Sequence, residues 1–145
     1  MGGIRSDVRR RSGGLGPLRL LLDTHTFYWW HRGDAALSQT AMAAIADSAN
    51  ETYVSAIAAW EFIAKFRSGK QPEFAAIAAD VMAVVAAHGF IQLPISIHHA
   101  QVAASLPLHH KDPMDRFLIA QALVEDMTIV TTDTAFVRYS AKLLW

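Results

Sequence analysis

The stretch Leu18-Arg19-Leu20-Leu21-Leu22-Asp23 decides the fold. A short run that is apolar almost throughout reads as a strand buried on both faces, as in a parallel sheet. An acid closes it, and the aromatic group Phe27, Tyr28, Trp29 and Trp30 follows in a helix expected over residues 24–31, stopped by Gly33.

The same alternation continues outward. Ser38 suits the N-cap of a helix over residues 39–47, with Met42, Ala43, Ile45 and Ala46 on one face. Thr52-Tyr53-Val54 reads as a second strand. Ser55 then caps a helix through Ile57, Trp60, Ile63 and Phe66, stopped by Ser68-Gly69. Pro72 opens an alanine-rich segment expected to be one helix over residues 72–87, with Gly89 as its stop. Residues 90–93 form a third strand, and Ser96 caps a helix over residues 97–105. A loop spans 106–111. Asp112-Pro113 starts a long helix to Asp126, residues 128–131 form a fourth strand, and Leu143-Leu144-Trp145 forms a fifth. Strand and helix alternate from 18 to 145, without an internal repeat or linker. That order predicts one three-layer α/β domain, with a mostly parallel sheet of four or five strands flanked by helices.

The 145 residues suffice for a core without staples. Hydrophobic residues at 52%, charged residues at 18% and a mean hydropathy of +0.21 argue against intrinsic disorder. The absence of cysteine excludes a disulfide framework, a thiolate metal site and a cysteine nucleophile. It is compatible with a reducing compartment, and the cytoplasm is the expected location. Net charge is zero, so the whole-chain balance makes no claim on nucleic acid. The distribution is uneven: residues 1–19 carry five arginines against one acid, Asp7, and the remainder is mildly acidic. Residues 1–17 read as a disordered basic leader. It lacks the long apolar run of a secretory signal, and 18–22 is too short to span a membrane.

Ligands of open α/β sheets bind beyond the carboxyl ends of the strands. Asp23 lies there after the first strand and Asp133 after the fourth. Each also suits a helix N-cap. Glu61 sits among Ile57, Trp60, Phe62 and Ile63, where an unpaired buried carboxylate is costly; a Glu61–Lys65 pair at i,i+4 is the structural alternative. Asp112, Pro113 and Asp115 make a strong helix start, and the same geometry can present a carboxylate into a site. The histidines show no HExxH spacing. His109 and His110 read as loop residues able to contact RNA or an acid, and His25 as a residue at the site's edge. No GxSxG, GxxxxGK[ST] or GxGxxG motif occurs. Five acids remain, four at strand ends and a helix start and Glu61 within a helix. Brought together, they repel unless a cation intervenes, and oxygen-only ligands favour Mg²⁺ or Mn²⁺.

Leu21-Leu22-Asp23-Thr24-His25, the segment from Ser55 to Glu61, His110-Lys111-Asp112-Pro113-Met114-Asp115-Arg116 and Val130-Thr131-Thr132-Asp133 together resemble PIN-domain ribonucleases. More narrowly, they resemble the VapC toxins of bacterial toxin–antitoxin pairs. The resemblance spans residues 18–145. Its most specific part is Asp112-Pro113-Met114-Asp115-Arg116 followed by Leu118-Ile119-Ala120-Gln121-Ala122. It implies a Mg²⁺- or Mn²⁺-dependent endoribonuclease that cleaves RNA with metal-activated water. By position, Asp23, Glu61, Asp115 and Asp133 match its acidic quartet and Asp112 an additional acid. Thr131 or Thr132 matches a hydroxyl beside the last acid, and Arg116 the motif arginine, whose structural alternative is a salt bridge to a neighbouring acid. The basic leader has no counterpart. The resemblance further implies a homodimer and a cognate VapB-type antitoxin. Among Phe27, Tyr28, Trp29, Trp30, Trp60 and Phe66, most are expected in the core and two or three in a partner groove.

Two other readings stand beside this one. A catalytically silent PIN-like scaffold would keep the shape and serve only as a binding partner. A receiver or phosphatase domain also places aspartates at strand ends. However, the chain has Asp23-Thr24-His25 where a haloacid-dehalogenase phosphatase needs Asp-x-Asp, and it lacks a receiver's adjacent acidic pair.

Overall fold

Leu20, Leu21 and Leu22 have no solvent exposure because their strand lies in the middle of the sheet. The computed structural model describes residues 17–109 and 112–145; the expected leader over 1–17, except Pro17, lies outside them, as do His110 and Lys111. Strand β1 (Arg19–Leu22) pairs in parallel with β2 (Glu51–Ser55) on one side and β4 (Thr128–Val130) on the other. Beyond these lie β3 (Ile91–Leu93) and β5 (Lys142–Leu144), both also parallel. The order is β3-β2-β1-β4-β5.

Side chains on a strand alternate between faces. Leu20 and Leu22 therefore join one core and Leu21 the other. The first core takes Phe27 from α1 (Thr24–Arg32), Ile45 from α2 (Gln39–Ala46) and Phe62 from α3 (Ala56–Arg67). Phe74, in the 3₁₀ turn Pro72–Phe74, packs on Phe62 at a ring separation of 4.7 Å. The second core takes Leu118, Ile119 and Ala122 from α7 (Pro113–Glu125), with Phe136 and Tyr139 from the 3₁₀ turn Thr134–Tyr139. Helix α6 (Ile97–Ser105) packs along α7. The result is the expected three-layer α/β arrangement, with a fully parallel five-stranded sheet.

The single helix expected over 72–87 is broken. Beyond the 3₁₀ turn, a short α4 (Ala75–Ala78) gives way to α5 (Val81–Ala87). Asp80 starts the new helix: its side chain accepts from Ala83 N at 3.1 Å. Aspartate competes with helical backbone bonding and favours an N-cap, a signal outweighed in the sequence reading by the alanines around it.

The chain runs outward from β1 through β2 to β3, then crosses to β4 on the other side of β1. This reversal opens a crevice at the carboxyl ends of β1 and β4. No helix among the described residues is long and apolar enough to cross a membrane.

Candidate active site

A cleft of about 540 Å³ occupies that crevice. Asp23, Glu61, Asp112, Asp115 and Asp133 all line it, with Thr24, His25, Lys65 and Thr132. The five acids come from four separate segments: the end of β1, the middle of α3, the start of α7 and the turn after β4.

Asp23 is a helix cap and a cleft residue at once. Its backbone N–H donates to Val130 O at 3.3 Å, joining β1 to β4. Its Oδ1 accepts from Thr26 N at 2.8 Å and its Oδ2 from the Thr131 hydroxyl. The Thr26 hydroxyl donates to Val130 O at 2.9 Å, which fixes the first turn of α1 against β4. The Thr131 oxygen accepts in turn from Asp133 N at 3.0 Å. One buried hydroxyl thus ties the two strand-end acids together. Asp133 also caps its own turn, accepting from Ala135 N at 2.9 Å. Of the two threonines named from sequence, Thr131 makes the bond to Asp23 and Thr132 lines the cleft.

Glu61 makes the expected i,i+4 pair with Lys65, at 3.1 Å, though not an exposed one: its side chain is only 14% exposed and also lines the cleft. Its other oxygen accepts from the Thr24 hydroxyl at 2.8 Å. Lys65 therefore brings a positive charge to the edge of an otherwise acidic site.

Asp112 caps α7, accepting from Met114 N at 2.9 Å, with Pro113 in the first turn. Asp115 lies in the same turn, where the helix dipole favours negative charge. Arg116 is buried and lies outside the cleft lining. It donates to the carbonyls of Ala103, Leu106 and Pro107 at 2.9, 2.7 and 2.9 Å. It gathers the C-terminal end of α6 and the chain after it against α7, and so sets where the helix bearing Asp115 begins.

Sequence reasoning did not single out Thr24, Lys65 or Gln121 as site residues. Gln121 on α7 accepts from the Ser55 hydroxyl at 2.5 Å and donates to Pro94 O at 3.2 Å. Ser55 caps α3 through Ile57 N. The bond therefore sets the helix carrying Glu61 relative to the helix carrying Asp115. Gln121 stands in the segment that carries the resemblance, but nothing in that segment reveals its partner, which is 66 residues away. His25 lies at the site's edge, with its ring 5.8 Å from those of Trp29 and Phe74.

Among the described residues, no three of these carboxylates stand close enough together to form a ready ligand set. The donor chemistry nonetheless suits a hard divalent cation: the lining acids offer oxygen only. An ionised carboxylate has about four acceptor positions. The bonds to Asp23 and Glu61 described above therefore leave it capacity to ligate.

The family model for the PIN domain matches residues 20–142. Comparison with curated proteins gives no match. Among solved structures, the chain is similar to VapBC2 from Rickettsia felis, bound to a DNA fragment from its promoter: TM-score 0.66 and 16% identity, covering 88% of this chain and 98% of that one. It is similar to FitAcB from Neisseria gonorrhoeae at TM-score 0.61 and 19% identity, covering 87% and 96%. A third structure, VapBC-5 of Mycobacterium tuberculosis, gives 0.56 and 17%, covering 88% and 97%. The fold, the acid-lined crevice and the match over nearly all of the described domain converge: the chain belongs to the PIN-domain family.

Proposed function

We propose that this chain is a VapC-type toxin, a Mg²⁺- or Mn²⁺-dependent endoribonuclease of the cytoplasm, neutralised by a cognate VapB-type antitoxin. The observation that carries the reading is the convergence of Asp23, Glu61, Asp112, Asp115 and Asp133 on one cleft at the sheet's switch point. Asp23, Glu61, Asp115 and Asp133 are the catalytic and metal-binding quartet, and Asp112 contributes at the rim. A bound divalent ion supplies positive charge that offsets the acids' repulsion and stabilises a phosphodiester's developing charge.

The chain's own groups do the rest. Thr26 N and Thr131 hold Asp23 with both oxygens directed. Thr131 sets Asp133 beside it. Lys65 is held at the cleft by Glu61 and can meet a phosphate oxygen there. Arg116 and Gln121 are positioning residues that act through α7.

The partner reading draws on exposed apolar surface. Trp60, at 60% exposure, Ile63 and Phe66 lie along α3, whereas Phe27 and Tyr28 are buried as core. Beside them a groove of about 350 Å³ is lined by Ala56, Ala59, Val81, Met82, Val85 and Leu93, among others. Apolar surface of this kind is what an antitoxin segment or a second copy of the chain would cover.

The test is cleavage of a mixed pool of structured RNA with Mg²⁺, Mn²⁺ or chelator, comparing wild type and Asp23→Asn. Cutting that needs the metal and disappears in the variant is expected. Equal cutting in chelator would refute the reading.

A further inference from the structure

The seven histidines show no ligand spacing in sequence, yet the fold brings two of them together. His31, in the last turn of α1, and His88, the C-cap of α5, are 57 residues apart in the chain. His31 Nδ1 lies 2.9 Å from His88 Nε2. The rings stand nearly perpendicular, at 89°, with centroids 5.2 Å apart. The His88 ring is stacked on Phe90 at 5.4 Å and meets the edge of Phe27 at 5.7 Å. It is therefore fixed, while His31 is exposed and can turn.

We propose that His31 and His88 form a two-histidine site for a borderline divalent transition ion, taking Cu²⁺ in preference to Ni²⁺ or Zn²⁺. The two nitrogens are hydrogen-bonded to each other, so a bound ion replaces that bond, and the exposed His31 ring turns to make room for it. Imidazole suits all three ions, and affinity at a nitrogen site is highest for Cu²⁺. Among the described residues no third His, Asp or Glu completes the group, so water fills the other positions.

The electrostatics agree. Both imidazoles lie at helix C-termini, where the unpaired carbonyls favour a cation. The neighbouring Arg32 is drawn away: its guanidinium lies over Tyr28, with Nη1 3.0 Å from the phenol oxygen. Neither histidine lines the acidic cleft, and imidazole selects different ions from carboxylate. A bound ion would clamp the end of α1 to the end of α5.

The test uses the full chain in excess Mg²⁺, which competes for the acidic cleft, titrated with Cu²⁺, Ni²⁺ and Zn²⁺ by calorimetry. Electron paramagnetic resonance of the Cu²⁺ form reports the nitrogen ligands. One Cu²⁺ per chain with two imidazole nitrogens is expected. His31→Gln, at an exposed position, should keep the fold by circular dichroism and weaken Cu²⁺ binding by about tenfold or more. His88→Gln should do the same, and Cu²⁺ should raise the melting temperature of wild type only. No Cu²⁺ binding by wild type, leaving the pair a hydrogen bond only, would overturn the proposal. So would unchanged affinity in His31→Gln, which would place the ion elsewhere.

Discussion

Replacing Thr131 by valine removes the hydroxyl that joins Asp23 to Asp133 while keeping the side chain's shape. Thr131 is only 4% exposed, so water does not simply take the hydroxyl's place. Two interactions go. The bond donated to the Asp23 carboxylate is charge-assisted, worth about 1.5–3 kcal/mol, and an Asp133 N–H left without this acceptor costs about 1–3 kcal/mol. Because Asp23 is only half-buried, a combined loss of about 2–4 kcal/mol follows, allowing for the solvent that reaches it. With a urea slope of about 2 kcal/mol/M, the unfolding midpoint falls by about 1–2 M. Thr131→Ser keeps both bonds and deletes one methyl group, at a cost of about 1 kcal/mol. Urea denaturation followed by circular dichroism measures all three proteins. A valine variant with the wild-type midpoint would refute the reasoning, as would a serine variant as damaged as the valine one.

Lys65→Met removes the cation paired with Glu61 and should tighten Mn²⁺ binding, measured by calorimetry, by roughly two- to fivefold, the equivalent of about 0.5–1 kcal/mol. Asp80→Ala deletes the cap that starts α5 and should lower stability by about 0.5–2 kcal/mol in urea melts; no change would mean that the break at residue 80 has another cause. The hydrogen bond from Lys142, with its charge, holds the Asp126 carboxyl below its ordinary value of 3.8. A carboxyl depressed in the folded state contributes stability above that ordinary value and loses it as pH falls through the folded pKa. Lys142→Met should therefore raise the Asp126 pKa in a carboxyl NMR titration, and a titration curve that does not move would contradict the assignment.

The strands were legible because burial on both faces leaves uninterrupted apolar runs, as in Leu20-Leu21-Leu22. Capping chemistry was legible for the same local reason: Ser38, Ser55, Ser96 and Asp112 all cap where their spacing places them. The break at Asp80 was missed because one cap signal stood inside an alanine run that favours helix throughout. Strand-end placement and family resemblance picked out the acids as candidates, and the structure brings them to one cleft. Long-range pairings stayed out of reach. Thr131 with Asp23, Gln121 with Ser55 and His31 with His88 join residues 108, 66 and 57 positions apart, and no periodicity encodes such partners. Arg116 was named from its motif, but its bonds to three carbonyls depend on how α6 ends, which sequence spacing does not specify.

The central claim is that carboxylates from separate segments act as one divalent-cation centre. Calorimetric titration of Mn²⁺ into wild type and into Asp23→Asn, Asp115→Asn and Asp133→Asn tests it most directly. The account predicts that wild type binds Mn²⁺ and that each single substitution weakens binding by about tenfold or more, because each removes a ligand from the same ion. Wild-type affinity in any two of the three variants would contradict it, since those acids would then share a cleft without sharing a metal.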